Sequence, residues 1–204
     1  ALALYQGGAM VNLRGAGAIA GRARRMLRVA GVVALVLFTA GGIWLTRLRG
    51  FAPGGIVDPS MPANPLASSA VAAKGLWLAN FLHHPALFVV PLIVYVALIA
   101  GMLASGPRHQ RFTWWCGAVA WMATIGSVGA ALFPMLAPSY ADIDQSLTIW
   151  NSSSSLLTLI WMLGFSVVFI PLIVFYTGWA FRVMGGKVSA DDIRARDRAG
   201  RESY

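Results

Sequence analysis

The chain has 204 residues, of which 58% are hydrophobic and only 11% charged, with a formal net charge of +9. A soluble domain carries about 25% charged residues, so an ordinary water-soluble globule is excluded. The positive charge sits in short segments flanking apolar runs rather than on one folded face, which sets nucleic acid aside as a partner. The single cysteine, Cys116, lies inside an apolar run; neither an internal disulfide nor a Cys-based metal site can form, and the residue reads as a small buried group.

The N-terminal stretch Ala1-Leu2-Ala3-Leu4-Tyr5 lacks an initiating Met and reads as the end of a transmembrane helix, over residues 1–12, whose beginning is missing. The basic cluster Arg22–Arg28 and the run behind it mimic a signal peptide. The run is too long for that, and apolar sequence already precedes the cluster. Four apolar runs follow in order: Val29–Thr46, Pro85–Ala104, Phe112–Ala137 and Leu156–Phe181. Each is close to or above the ~20 residues a helix needs to cross a bilayer. None contains Lys, Arg, Asp or Glu, as lipid exposure demands when a mid-membrane charge costs several kcal/mol. The expected fold is all-α: a polytopic transmembrane helix bundle with four full spans plus the end of a fifth helix at the N-terminus. Residues 13–188 form the four-helix bundle, and 189–204 a cytoplasmic basic tail.

The connectors alternate in charge. Arg14, Arg22, Arg24, Arg25 and Arg28 precede the first run; Arg108 and Arg111 join the second to the third; Arg182, Lys187, Arg194, Arg196, Arg198 and Arg201 follow the fourth. The two remaining connectors hold only Arg47, Arg49 and Lys74. The positive-inside rule places the first set, and the C-terminus, in the cytoplasm. The second span is expected to start at Pro85, because an earlier start would draw Asn80, His83 and His84 into lipid and because Pro suits a first helical turn. Lys74–His84 then approaches along the interface with Trp77 at headgroup depth. Asn64-Pro65 offers the start of a short outer helix. Asn151 and the serines through Ser155 are expected to cap the fourth span. Pro91 and Pro171 bend the second and fourth. Small residues at Ala123, Ser127 and Ala131, beside Gly126 and Ala130, give the third span a stripe for close packing, so the four spans are expected to pack together. Ser189-Ala190-Asp191-Asp192 has a capping-box pattern opening a basic surface helix.

Few residues carry chemistry. His83 and His84 could be haem ligands or an outer proton relay, but His109, on the opposite side, cannot partner them. They read better as interfacial histidines beside a helix start. Asp142 and Asp144 flank a loop with Tyr140, Gln145 and Thr148 that reads as solvated. Asn151-Ser152-Ser153 matches a glycosylation sequon that helix capping explains equally well. Tyr95 and Tyr176 suit packing or an interfacial belt. No catalytic, cofactor-binding or metal-binding residue is assigned to this chain.

The second half becomes specific at Ala131-Leu132-Phe133-Pro134-Met135-Leu136-Ala137-Pro138-Ser139, at Ser146-Leu147-Thr148-Ile149-Trp150-Asn151 and at Pro171-Leu172-Ile173-Val174-Phe175-Tyr176-Thr177-Gly178-Trp179. With Gln6-Gly7-Gly8-Ala9, Asn64-Pro65-Leu66 and Gly75-Leu76-Trp77, these blocks resemble the C-terminal half of subunit II of the cytochrome bd ubiquinol oxidases. The resemblance implies a multi-pass subunit of an electrogenic respiratory quinol:O2 oxidoreductase in the bacterial cytoplasmic (inner) membrane. It implies a hetero-oligomer with subunit I, which bears haems b558, b595 and d and the quinol site. It also implies contacts with membrane lipid and quinone, a small accessory subunit, and no cofactor in this chain. The family's polar proton-path residues belong to the N-terminal half of the subunit, so no catalytic residue is carried onto this sequence. The competing readings are a stand-alone four-span transporter, for which the spans lack an acid or base at the midplane, and a membrane scaffold without redox association.

Overall fold

The computed structural model describes residues 1–54 and 69–183. In chain order the elements are α1 (Leu2–Arg14), α2 (Gly17–Leu45), β1 (Arg49–Pro53), β2 (Ala70–Lys74), α3 (Ala79–His83), α4 (Val89–Leu103), α5 (Gln110–Leu132), β3 (Met135–Ala137), β4 (Leu147–Thr148) and α6 (Leu156–Val183). A 3-10 turn over Pro85–Phe88 leads directly into α4. Among the described residues four helices are therefore long and apolar enough to cross a membrane: Gly17–Leu45, Pro85–Leu103, Gln110–Leu132 and Leu156–Val183. The all-α, multi-span architecture expected from the apolar runs is the one observed. The outer helix expected at Asn64-Pro65 and the capping box and basic tail over 189–204 lie outside the described residues.

The boundaries differ where local chemistry outweighs hydropathy. α2 begins twelve residues before the apolar run, because Arg22, Arg24, Arg25 and Arg28 are good helix formers and an interfacial end needs no apolar sequence. α5 stops at Leu132 instead of Ala137. Pro134 cannot donate to a helix and disfavours helical geometry at Phe133, and Met135–Ala137 leaves to pair as a strand. α6 begins as expected at Leu156, where the Ser155 hydroxyl accepts from the Thr158 N–H at 3.4 Å. Asn151 does not cap this helix. Its Oδ1 accepts from the Thr148 N–H at 2.6 Å and closes the preceding turn.

The described residues fall into two compact units, residues 1–45 with 80–131 and residues 46–79 with 132–183. In the first unit α1 folds back on α2, so that a Cβ on Gly8 would lie 2.9 Å from Leu27 Cβ. Tyr5, Leu27, Ala30, Ala34, Val94, Ala97, Leu98, Ala120 and Ala123 form its buried core, with α1, α2, α4 and α5 each contributing. Alanine dominates because lipid offers no hydrophobic reward for burying large apolar groups, whereas small ones let backbones approach and gain dispersion contacts. The stripe expected on α5 is buried at Ala123, Ser127 and Ala131 and extends back through Thr113, Cys116, Gly117 and Ala120.

In the second unit β1 and β2 pair antiparallel from Arg49↔Lys74 to Pro53↔Ala70, and β3 pairs with β4. Trp77 lies buried beneath β1. Its ring is 5.8 Å from Phe51, and its indole N–H donates to the Arg49 carbonyl at 3.0 Å. None of α6's residues is buried.

Candidate functional site

Three buried polar side chains, Asn12, Ser105 and Thr113, converge with Tyr5 at the basic end of the first unit, between α1, α2, α4 and α5. Tyr5 on α1 is fully buried. Its ring enters a slot made by glycines on three other helices. A Cβ on Gly31 would come within 3.2 Å of the Tyr5 ring, one on Gly101 would meet the Tyr5 hydroxyl, and one on Gly117 would meet both the Tyr5 ring and the Gln6 carbonyl oxygen. Only glycine admits that approach. Two turns further along α1, Asn12 is also fully buried, and its Nδ2 donates to the Ser105 carbonyl at 3.2 Å. The Ser105 hydroxyl accepts from Arg28 Nε at 2.9 Å. Thr113 Oγ1 lies 3.0 Å from the Ala104 carbonyl and 3.3 Å from those of Gly101 and His109, binding the α4–α5 turn. Gln6 Nε2 donates to the Trp114 carbonyl at 3.4 Å.

This network joins the helices by side-chain donors, all but Arg28 on backbone acceptors, each worth about 0.6 kcal/mol on average in a membrane bundle. It contains one cation, Arg28, and no carboxylate, cysteine–histidine pair or hydroxyl–imidazole pair. It can fix helix register and orientation. Tyr5 Oη, Gln6 Oε1 and Asn12 Oδ1 have no hydrogen-bond partner among the described residues. Sequence reading did not single out these residues. The glycines and Tyr5 are scattered over more than a hundred positions.

The residues weighed from sequence are dispersed. His83, His84 and His109 are exposed; the His84 N–H donates to the Asn80 carbonyl at 2.9 Å and closes α3. Exposed histidines without a facing ligand do not fit a haem, which needs axial donors inside an apolar pocket. Among the described residues no group of three His, Cys, Asp or Glu comes together. Asp142 and Asp144 serve the loop itself: Asp142 accepts from the Asp144 N–H at 3.2 Å and from Gln145 Nε2 at 3.1 Å, and Asp144 Oδ1 accepts from the Ala70 N–H at 3.4 Å. Tyr95 shares a 2.9 Å hydrogen bond with Thr39 and meets Phe38 edge-on at 5.5 Å, pinning α4 to α2. Tyr176 is exposed on α6, 6.3 Å from the Trp179 ring. Cys116 is buried and free.

Spans without internal charge, a core of small residues and a polar network confined to helix packing define a polytopic α-helical membrane protein. The family model for cytochrome bd terminal oxidase subunit II matches residues 1–184, and the chain belongs to that family. It is 31% identical over 176 residues to a protein of Haemophilus influenzae named "Probable cytochrome oxidase subunit 2", covering 86% of this chain and 47% of that protein. It is 30% identical over 191 residues to the "Cytochrome bd-I ubiquinol oxidase subunit 2" of Escherichia coli K12, covering 93% of this chain and 50% of that protein. The chain thus spans about half the length of the curated relatives it matches.

Proposed function

We propose that this chain is the C-terminal part of the non-haem-binding subunit of a cytochrome bd-type quinol:O2 oxidoreductase in a bacterial inner membrane, where it supports a haem-bearing subunit I. The observation that carries the reading is the family match over residues 1–184, joined to a bundle whose buried polar groups bind helices to each other and offer no redox ligand. In this reading haems b558, b595 and d and the quinol belong to the partner subunit, and no residue of this chain takes a catalytic step. Lipid, quinone and a small accessory subunit complete the surroundings. The arginine-rich ends of α2 and α5 and the C-terminus face the cytoplasm, and both small sheets face outside.

α6 supports the need for a partner. Pro171 leaves the Val167 carbonyl without its helical donor, and such a group is tolerated at membrane depth only where another protein element covers it. The test is purification of the tagged chain from its own membranes. A haem-bearing partner that copurifies, giving b- and d-type absorbance and quinol-dependent oxygen uptake, is the expected result. A haem-free complex, or ion flux by the chain alone in liposomes, overturns the reading.

A further inference from the structure

We propose that the groove between α1 and α2 is a site for an anionic phospholipid, with the phosphate held by Arg22 and one acyl chain lying along α1. The groove has a volume of about 400 Å³ and is lined among others by Leu4, Gly7 and Val11 of α1 and by Ile19, Arg22 and Met26 of α2. Two adjacent glycines create it. Gly8 brings the helices together against Leu27, while Gly7, where a Cβ would meet nothing within 4 Å, leaves the space open beside that contact. From Leu4 to Val11 the apolar wall runs about 10 Å along the helix.

Charge identifies the occupant. Residues 1–45 and 80–131 contain seven arginines and no Asp or Glu. Arg24 Nε bonds the Ala20 carbonyl of its own helix and Arg28 bonds Ser105, whereas Arg22 is exposed at the groove. A guanidinium on the wall of an otherwise apolar groove matches a molecule that joins a phosphate to hydrocarbon. Basic pockets between membrane helices bind lipid headgroups in this way. A neutral lipid would leave Arg22 without a counter-charge, and a free phosphate would leave the channel empty. The inference stands on the bundle and not on the oxidase reading.

The protein, in whatever complex it is purified, is placed in phosphatidylcholine nanodiscs containing a minor share of phosphatidylglycerol, and retained lipid is counted by native mass spectrometry. Phosphatidylglycerol is expected to persist on the wild type. Arg22→Gln is expected to cut its retention about tenfold, the loss of one charge-assisted hydrogen bond. Gly7→Leu, which fills the channel without a clash, should do the same, while Arg25→Gln, exposed but off the groove, should change retention less than twofold. Cross-links between α1 and α2 report that each variant is folded. Equal losses from Arg22→Gln and Arg25→Gln, equal retention of phosphatidylcholine, or a cross-link from a cysteine at position 7 to another protein would each overturn the site.

Discussion

α5 and α6 are both long enough to span a membrane, yet the less hydropathic of the two is the one that packs. A third of the most apolar window of α5 is buried and none of that of α6. In water the order would be reversed, because apolar area drives burial there. In lipid the tails are as apolar as leucine, and burial follows shape instead. α5 hides Gly117, Ala120, Ala123, Ser127 and Ala131, whereas α6 presents Leu, Ile, Phe and Trp all round. Hydropathy therefore locates a span, and small residues decide whether it lies inside a bundle.

The largest test of that contrast substitutes glycines on the two sides of it. Gly101→Leu drives a side chain into the Tyr5 hydroxyl and the Cys116 Cβ. It is expected to destabilise the bundle by about 3 kcal/mol, the upper end of overpacking costs, measured as an earlier midpoint in denaturant titration in detergent. Gly164→Leu on α6, where nothing lies within 4 Å, should change the same midpoint by less than about 0.5 kcal/mol. A matched effect would mean that α6 is packed as tightly as α4.

Two serines sharpen the comparison. The Ser127 and Ser166 hydroxyls each donate at 2.8 Å to the carbonyl four residues earlier, Ala123 and Met162. Their local bonds are the same and their surroundings are not: Ser127 is buried and Ser166 exposed. Ser127→Leu is expected to cost about 2 kcal/mol through overpacking, and Ser166→Leu close to nothing. Smaller again is Asn80→Leu, which removes the 2.9 Å bond from Asn80 Nδ2 to the Ala130 carbonyl; about 1 kcal/mol is expected, near the middle of membrane-bundle side-chain bonds.

Local rules made part of this legible. The start of the second span at Pro85, the start of α6 at Leu156 and the stripe at Ala123, Ser127 and Ala131 were readable because each depends on residues within one or two turns. The Tyr5 slot was not, since residues 5, 31, 101 and 117 meet only after four helices associate, and no periodicity links them. The strand pairing of Arg49 with Lys74 escaped for the same reason: neither partner shows an alternating pattern, and the register is set across a long connector. The burial of Trp77 under β1 was not legible, because an exposed Trp and a Trp packed under a strand have the same sequence context. His83, Asp142 and Asn151 each sit at a turn or a helix end.

Tyr5→Phe has the smallest expected effect and the sharpest sign. The phenol ring fills the slot between Gly31, Gly101 and Gly117, and the substitution keeps all of it. Only the hydroxyl is lost, and that group is buried without a hydrogen-bond partner. A buried polar group left unpaired costs about 1–3 kcal/mol of desolvation, so its removal is expected to leave stability unchanged or raise it by up to about 1 kcal/mol. A drop of more than about 1 kcal/mol in the same denaturant titration would show that the hydroxyl is bonded after all. The contrast with α6 would then rest on a hydrogen bond as well as on small residues, and the slot would be a polar joint rather than a steric one.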